Sequence, residues 1–295
     1  MNRWNQLVDA MSTEEAGTSL ALFRILIGLT FAVDTALLYA SGVGDLIWAG
    51  GPWKTTSTHW LVGLLGGPTL DVSQALMFVA FASSVMIAAG MATRGAAFTA
   101  WASLMGLLSM SHGGGAYDIL LTIALLFLVV AKSDTTLSVS CRLRSGSWMS
   151  SELVPAWPRY VAIYQLALLY TTSAMSKLGA EWLPSGEFRA VYNAVLLPCW
   201  ARGEWTWLGW FYPVTQAGTA VSWLWEFSWW IVPLALLLGR PSVRRVYVGF
   251  GIALHLGLWA LINVGPFSPL ILSFYVLLYR PSEWRFPGQY SDNAS

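Results

Sequence analysis

Long apolar runs separated by short polar segments recur along the chain. They predict helices over about 19–40, 71–91, 95–112, 115–132, 158–178, 213–238, 246–264 and 266–280. A run of about 20 apolar residues suffices to cross a bilayer core of about 30 Å. The last run is short for that task. None alternates with the period of two that a membrane strand requires. The third and fourth runs are separated by His112-Gly113-Gly114-Gly115, and the seventh and eighth by Val264-Gly265-Pro266. The pattern predicts an all-α, polytopic membrane helical bundle of about eight transmembrane helices over 19–280. A segment 1–18 precedes it and a tail 281–295 follows. The opening segment is polar and carries Glu14 and Glu15. It lacks the basic stretch and apolar core of a secretion signal, so the first run is expected to stay as a membrane helix.

Composition strengthens this reading. The 295 residues are 56% hydrophobic and 11% charged, with a mean hydropathy of +0.57. Soluble domains carry roughly 25% charged residues. The net charge of +1 gives no basic surface for nucleic acid. With the N-terminus inside, 11 of the 16 lysines and arginines fall on the inner side. Lys54, Lys177, Arg189 and Arg202 fall outside, and Arg24 lies within the first run. An excess of inner positive charge places both termini in the cytoplasm. The plasma membrane is the expected location. The longer outer segments, 41–70 and 179–212, carry Trp48, Trp53, Trp60, Trp182, Trp200, Trp205, Trp207 and Trp210. Indole favours the headgroup layer, so both are expected to lie on the outer leaflet. Glu187 to Leu197 is expected to form an interfacial helix introduced by Pro184-Ser185-Gly186.

Ionisable groups within apolar runs are costly, and each is a functional candidate. Arg24 and Asp34 are ten residues apart in the first run, about 15 Å along a helix, too far to pair. Arg24 reads as a structural ion pair, a snorkelling side chain or a site residue. His112 and Asp118 flank the glycine turn. Lys177 ends the fifth run. It reads either as a snorkelling cation or, at the apolar rim of a pocket, as a group that accepts a proton. Glu226 and His255 are the deepest. They can pair with each other as a proton relay or form a buried hydrogen bond that fixes packing. His59 reads as a solvated loop residue. Cys141 and Cys199 are expected to stay unpaired, with Cys199 read as small apolar filler or a free thiol. The three histidines lack a metal-ligand spacing, so no metal is expected.

The polar positions form an ordered set: Phe23-Arg24, Gly28, Asp34, Arg94, His112, Asp118, Tyr170, Lys177-Leu178, Glu181-Trp182, Gly186, Glu226 and His255-Leu256-Gly257. This set resembles the HTTM family, the membrane domain shared with vitamin K-dependent gamma-carboxylase, over about residues 15–280. Its most specific stretch is Lys177-Leu178-Gly179-Ala180-Glu181-Trp182. The resemblance implies a lysine, Lys177 here, that deprotonates reduced vitamin K or menaquinol on the outward face. It implies His112 as the assisting histidine. Asp118, Tyr170, Trp182, Glu226, His255, Arg24 and Asp34 would line the quinol pocket or a buried polar network. In the carboxylase, oxygen turns the quinol into an epoxide, and the base so formed takes a proton from glutamate before carbon dioxide adds, a lyase-class activity. The carboxylase's soluble region has no counterpart in this chain, so the quinol half of the activity is the expectation.

Three readings follow. The first is a quinol-dependent oxygenase or carboxylase-like enzyme. The second is a non-enzymatic membrane partner in maturation or export of a secreted peptide. The third, a proton-coupled transporter using Glu226 and His255, is disfavoured because the chain shows no internal repeat.

Overall fold

The structure is a computed structural model that describes residues 3–50, 59–112, 114–231 and 241–284. It is mostly helical, and it divides into two compact units. One comprises residues 1–160 with 279–295, and the other comprises residues 161–278.

The first unit begins with α1 (Arg3–Ser12), a short strand β1 (Glu14–Ala16) and α2 (Thr18–Ala40). Two short helices follow, α3 (Val43–Asp45) and α4 (Trp60–Leu64), then α5 (Leu70–Ala89), α6 (Thr93–Ser109) and α7 (Ala116–Val130). Helix α5 opens where the Thr69 hydroxyl accepts from the Val72 N–H at 3.3 Å, and it closes at the left-handed Gly90. Helices α2, α5, α6 and α7 pack in sequence order, and α2 also touches α7. Small side chains line these seams: Ala21, Ala80, Ser84, Ala97, Ala100 and Ala124 are fully buried. Such residues let helix backbones approach closely where lipid gives no hydrophobic drive to association. Gly28 is the limiting case. A Cβ there would stand 2.5 Å from the Ala88 amide nitrogen of α5.

Helix α8 (Val139–Ser145) and strand β2 (Leu153–Pro155) complete the unit. Strands β1 and β2 pair antiparallel, with Glu15 opposite Val154. This small ribbon is an addition to the all-helical expectation. It positions Glu15 to accept two hydrogen bonds from Arg159, at 2.7 and 2.8 Å. Residues from the chain's end return here: the Ser19 hydroxyl donates to the Tyr279 carbonyl and accepts from the Trp284 indole, each at 3.1 Å.

The second unit is entered along α9 (Trp157–Ser176), whose first turn carries Pro158 where no backbone donor is needed. It contains α10 (Ala190–Leu196), α11 (Tyr212–Ser228), α12 (Pro241–Leu261) and α13 (Phe267–Tyr275). Helix α10 forms within the segment predicted as interfacial, after a 3-10 turn at Pro184–Gly186.

Helices thus occur at all eight predicted runs. Among the described residues two of them, Thr18–Ala40 and Leu70–Ala89, are long and apolar enough to cross a membrane. Ala116–Val130 and Phe267–Leu278 are apolar but shorter. The sixth helix ends at Ser228, before the predicted 238, and residues 232–238 of that run lie outside the described residues. The seventh is described from Pro241, ahead of the predicted 246. Trp48 departs from its expected place in a headgroup layer. It is buried in a cluster with Val62, Val72, Leu76, Met77 and Leu107. Trp53 lies outside the described residues.

Arg24 does not snorkel, and among the described residues it makes no salt bridge. It is fully buried, and its Nη2 donates to the Leu137 carbonyl at 2.5 Å. Leu137 has a left-handed backbone, with φ of 49°, and the segment it belongs to starts α8. Arg24 therefore holds an inter-helix segment against α2. Arg24→Ala is expected to lower stability by about 2 kcal/mol, the value of a hydrogen bond to a charged donor. It should also open the segment around Leu137 to protease. Thermal unfolding and limited proteolysis in detergent check this, and unchanged cleavage would count against the role.

Candidate functional site

The second unit assembles five of the residues singled out from sequence: Tyr170, Lys177, Trp182, Glu226 and His255. Helix α9 ends at Ser176, and the Lys177 N–H closes its last turn by donating to the Ala174 carbonyl at 3.2 Å. The lysine side chain then leaves the helix end. Its Nζ donates to both Glu226 carboxylate oxygens at 2.5 Å. Side-chain exposure is 22% for Lys177 and 10% for Glu226. The same Nζ lies 4.8 Å from the centre of the Trp182 ring, a cation–π contact. Trp182 reaches that place on a 3-10 turn, Ala180–Trp182, immediately after the lysine. The short spacing Lys177 to Trp182 is what this doubling-back requires.

Glu226 is presented by a polar stripe. Thr215, Thr219, Ser222 and Glu226 recur at intervals of four, three and four, which places them on one face of α11. All four are buried. The three hydroxyls donate back to carbonyls of their own helix, so they need no outside acceptor. Thr219 also accepts from the Val191 N–H at the start of α10, at 3.2 Å. One residue along, the Trp223 indole donates to the Ala174 carbonyl at 3.1 Å. That bond ties α11 to the last turn of α9, beside the lysine.

A second polar chain is built on Tyr170. Its hydroxyl is 2.5 Å from His255 Nε2 and 2.6 Å from the Tyr275 hydroxyl. Its ring stacks on Trp229 and meets Trp225 edge-on, with both centroids 4.9 Å away. Gly251 lies one turn before His255 on α12. A Cβ there would collide with the Tyr275 hydroxyl and stand 2.6 Å from the Trp225 ring. Glycine is therefore the residue that lets Tyr275 and Trp225 close on this helix. His255 Nδ1 and the Trp225 and Trp229 indole nitrogens are buried without a hydrogen-bond partner.

Glu226 and His255 do not pair with each other, as the sequence left open. Glu226 pairs with Lys177, and His255 with Tyr170. The other candidates belong to the first unit. Arg24 serves the Leu137 segment. Asp34 lies beside Tyr117, with Asp118 within electrostatic reach. Asp118 accepts from the Gly115 N–H at 2.7 Å and so caps α7. His112 is exposed at the bend before that helix. His59 accepts from the Leu61 N–H at 3.4 Å and begins α4, rather than standing free in a loop. Both cysteines are free, but Cys199 is exposed and is not core filler. A half-open groove of about 490 Å³ lies between α2 and α5, lined by Thr35, Tyr39, Gln74, Met77, Phe78 and Phe81.

Tyr275, Trp225 and Trp229 are the site residues that sequence reading missed. Each sits in an aromatic-rich apolar run where nothing marks one ring over another. The spacing Gly251 to His255 and the stripe on α11 were the available signals.

These features define a helical protein with two membrane-length apolar helices and an ion pair set among aromatic side chains. The chain belongs to the HTTM domain family, whose match covers residues 13–284. That family is membrane-associated and linked to the membrane domain of vitamin K-dependent gamma-carboxylase. No curated protein and no solved structure matches the chain.

Removing one member of a buried ion pair leaves the other uncompensated, which costs roughly 3 kcal/mol or more. Lys177→Met and Glu226→Leu are each expected to lose about that much, and the two together less than the sum. Chemical unfolding of wild type, the two single variants and the double variant in one detergent gives the comparison. A double-variant loss equal to the sum of the single losses would mean that the charges do not depend on each other.

Proposed function

We propose that this protein is a multi-pass plasma-membrane protein of eight membrane helices with both termini in the cytoplasm. Its outward-facing site around Lys177 takes the hydroxyl proton of a reduced lipid quinol, vitamin K or menaquinol in type. The helices at all eight predicted runs support the membrane arrangement. So do the large apolar side chains on their outer faces, such as Leu37, Phe78, Phe98, Ile119 and Leu224, which are more than half exposed. Such a surface is stable against lipid and aggregation-prone in water.

One observation carries the chemical reading. The lysine that matches the family's base is held by a buried carboxylate and an aromatic face, while part of its side chain stays accessible. A proton-handling pair at an apolar rim suits a substrate that arrives sideways from the membrane. Deprotonation makes the quinol an electron-rich oxyanion, which dioxygen attacks. The balanced outcome is quinol plus dioxygen giving quinone epoxide plus water. The Tyr170 chain and its tryptophans supply an apolar wall that limits competing water.

A second reading has its own support. Trp200, Trp207 and Trp210 are about half exposed or more, a surface that suits a partner peptide as well as lipid. In that reading the Lys177–Glu226 pair is structural.

The test is purified protein in nanodiscs supplied with menaquinol or reduced vitamin K, oxygen and bicarbonate, with quinone epoxide measured by mass spectrometry. Wild type should exceed a no-protein control, and folded Lys177→Ala should fall by about 10²-fold, as expected on loss of acid–base catalysis. No epoxide from wild type, with quinol bound, would favour the partner reading.

A further inference from the structure

We propose that the segment between α7 and α9, with Arg94 beside it, is a binding surface for anionic phospholipid headgroups. It lies at the end of the bundle that the charge bias places inside. The inference goes beyond the quinol reading and rests only on the proposed membrane arrangement.

The cations at this end divide into two groups. Arg24 and Arg159 are buried and serve the fold, Arg24 through the Leu137 carbonyl and Arg159 through Glu15. Arg94, Lys132, Arg142 and Arg144 are exposed. Among the described residues, Arg94, Lys132 and Arg142 make no salt bridge, and Arg144 meets the exposed Glu152 only at 4.0 Å. An exposed pair of that length contributes little, so Arg144 stays open to a stronger anion. The segment's other acid, Asp134, lies within electrostatic reach of the buried Arg24. The exposed cations therefore have little internal compensation.

The fold gathers them on a fixed seat. The Ser140 N–H donates to the Gly90 carbonyl at 3.2 Å, which lays the start of α8 on the turn between α5 and α6. Arg142 follows Ser140 by two residues, and Arg94 follows Gly90 by four. A Cβ at Gly90 would collide with Arg24 and Ser138, so glycine permits this close seating. The Leu137 N–H donates to the Trp148 carbonyl at 2.7 Å, which folds the segment back and holds Trp148 near the start of α8. A surface fixed in advance spends less of its binding energy on ordering.

Large apolar side chains stand among the cations. Leu143, between Arg142 and Arg144, is 80% exposed, and Trp148 is 51% exposed. Met91, on the α5–α6 turn, is exposed as well. This mixture suits the boundary of a leaflet, where cations meet phosphates and apolar side chains enter the acyl layer. A free phosphate ion would satisfy the cations and leave the leucine and indole in water. The chemistry therefore points to the headgroup of a lipid.

The full chain is reconstituted in nanodiscs of phosphatidylcholine with a minor share of phosphatidylglycerol. It is then extracted in mild detergent, and the retained lipids are counted by native mass spectrometry. Wild type should retain phosphatidylglycerol well above its share. Arg142→Gln and Arg94→Gln should each cut that enrichment by up to about fivefold, the effect of one surface cation on an anionic lipid. High salt should cut it too. Arg245→Gln removes an exposed cation of the other unit and should leave the enrichment unchanged. Thermal unfolding checks that each variant is folded. Equal retention of the two lipids by wild type would overturn the proposal and leave the surface to a protein partner. An equal loss in Arg245→Gln would also overturn it, since the attraction would then belong to the whole inner face. A chain that does not enter the nanodisc would remove the membrane arrangement itself, and this surface with it.

Discussion

The second unit depends on one constraint: two opposite charges taken out of water must stay together. Lys177 and Glu226 come from different helices, 49 residues apart in sequence. Among the described residues, neither makes a second salt bridge. Their attraction fixes the end of α9 against the face of α11, and the Trp223 indole reinforces the same junction. Without the pair, each helix would present an isolated charge to an apolar surrounding. With it, both charges are compensated within the apolar unit.

The same rule explains the remaining buried polar groups. An apolar chain with 11% charged residues has few opportunities for ion pairing, so most of its polar atoms turn to the backbone. Arg24 reaches the Leu137 carbonyl, Asp118 reaches the Gly115 N–H, and the hydroxyls of α11 bond to their own helix. Arg159 and Glu15 are the first unit's close ion pair, and a two-stranded ribbon is built to present it. Small residues serve the packing side of this economy. Ala80, Ala97 and Gly28 bring helices close enough for such bonds to reach.

Much of the helical order was legible in the sequence, because apolar runs bounded by glycine, proline and polar residues report helix positions directly. Boundaries were less legible. Ser228 ends α11 although the apolar run continues, since apolarity alone carries no stop signal. For the site, residue types were readable but partners were not. Lys177, Glu226, Tyr170 and His255 were each conspicuous as polar groups in apolar runs. Spacing within a helix cannot say which helix lies opposite, so the Glu226–His255 pairing left open by sequence gave way to Lys177–Glu226 and Tyr170–His255. Trp48 shows the converse error. Tryptophan in an outer segment suggests a headgroup layer, yet the segment folds back and buries that ring against Met77 and Leu107. The division into two units had no signal in composition.

In the quinol reading, the ion pair also constrains what a substrate can do beside it. A ligand that offers only apolar surface cannot separate the charges, because it gives neither a new partner. A neutral ligand with a hydroxyl can approach Lys177 without breaking the pair, through the lysine's accessible flank. Once the lysine has taken the hydroxyl proton, the resulting oxyanion can replace the carboxylate beside it. The stabilising contact then forms with the ionised substrate and not with the neutral one, which is the condition for accelerating a proton transfer rather than merely binding its reactant. The aromatic chain on Tyr170 fits this arrangement. Its Tyr170 hydroxyl bonds to His255 and Tyr275 rather than to either charge, so it does not compete with the pair.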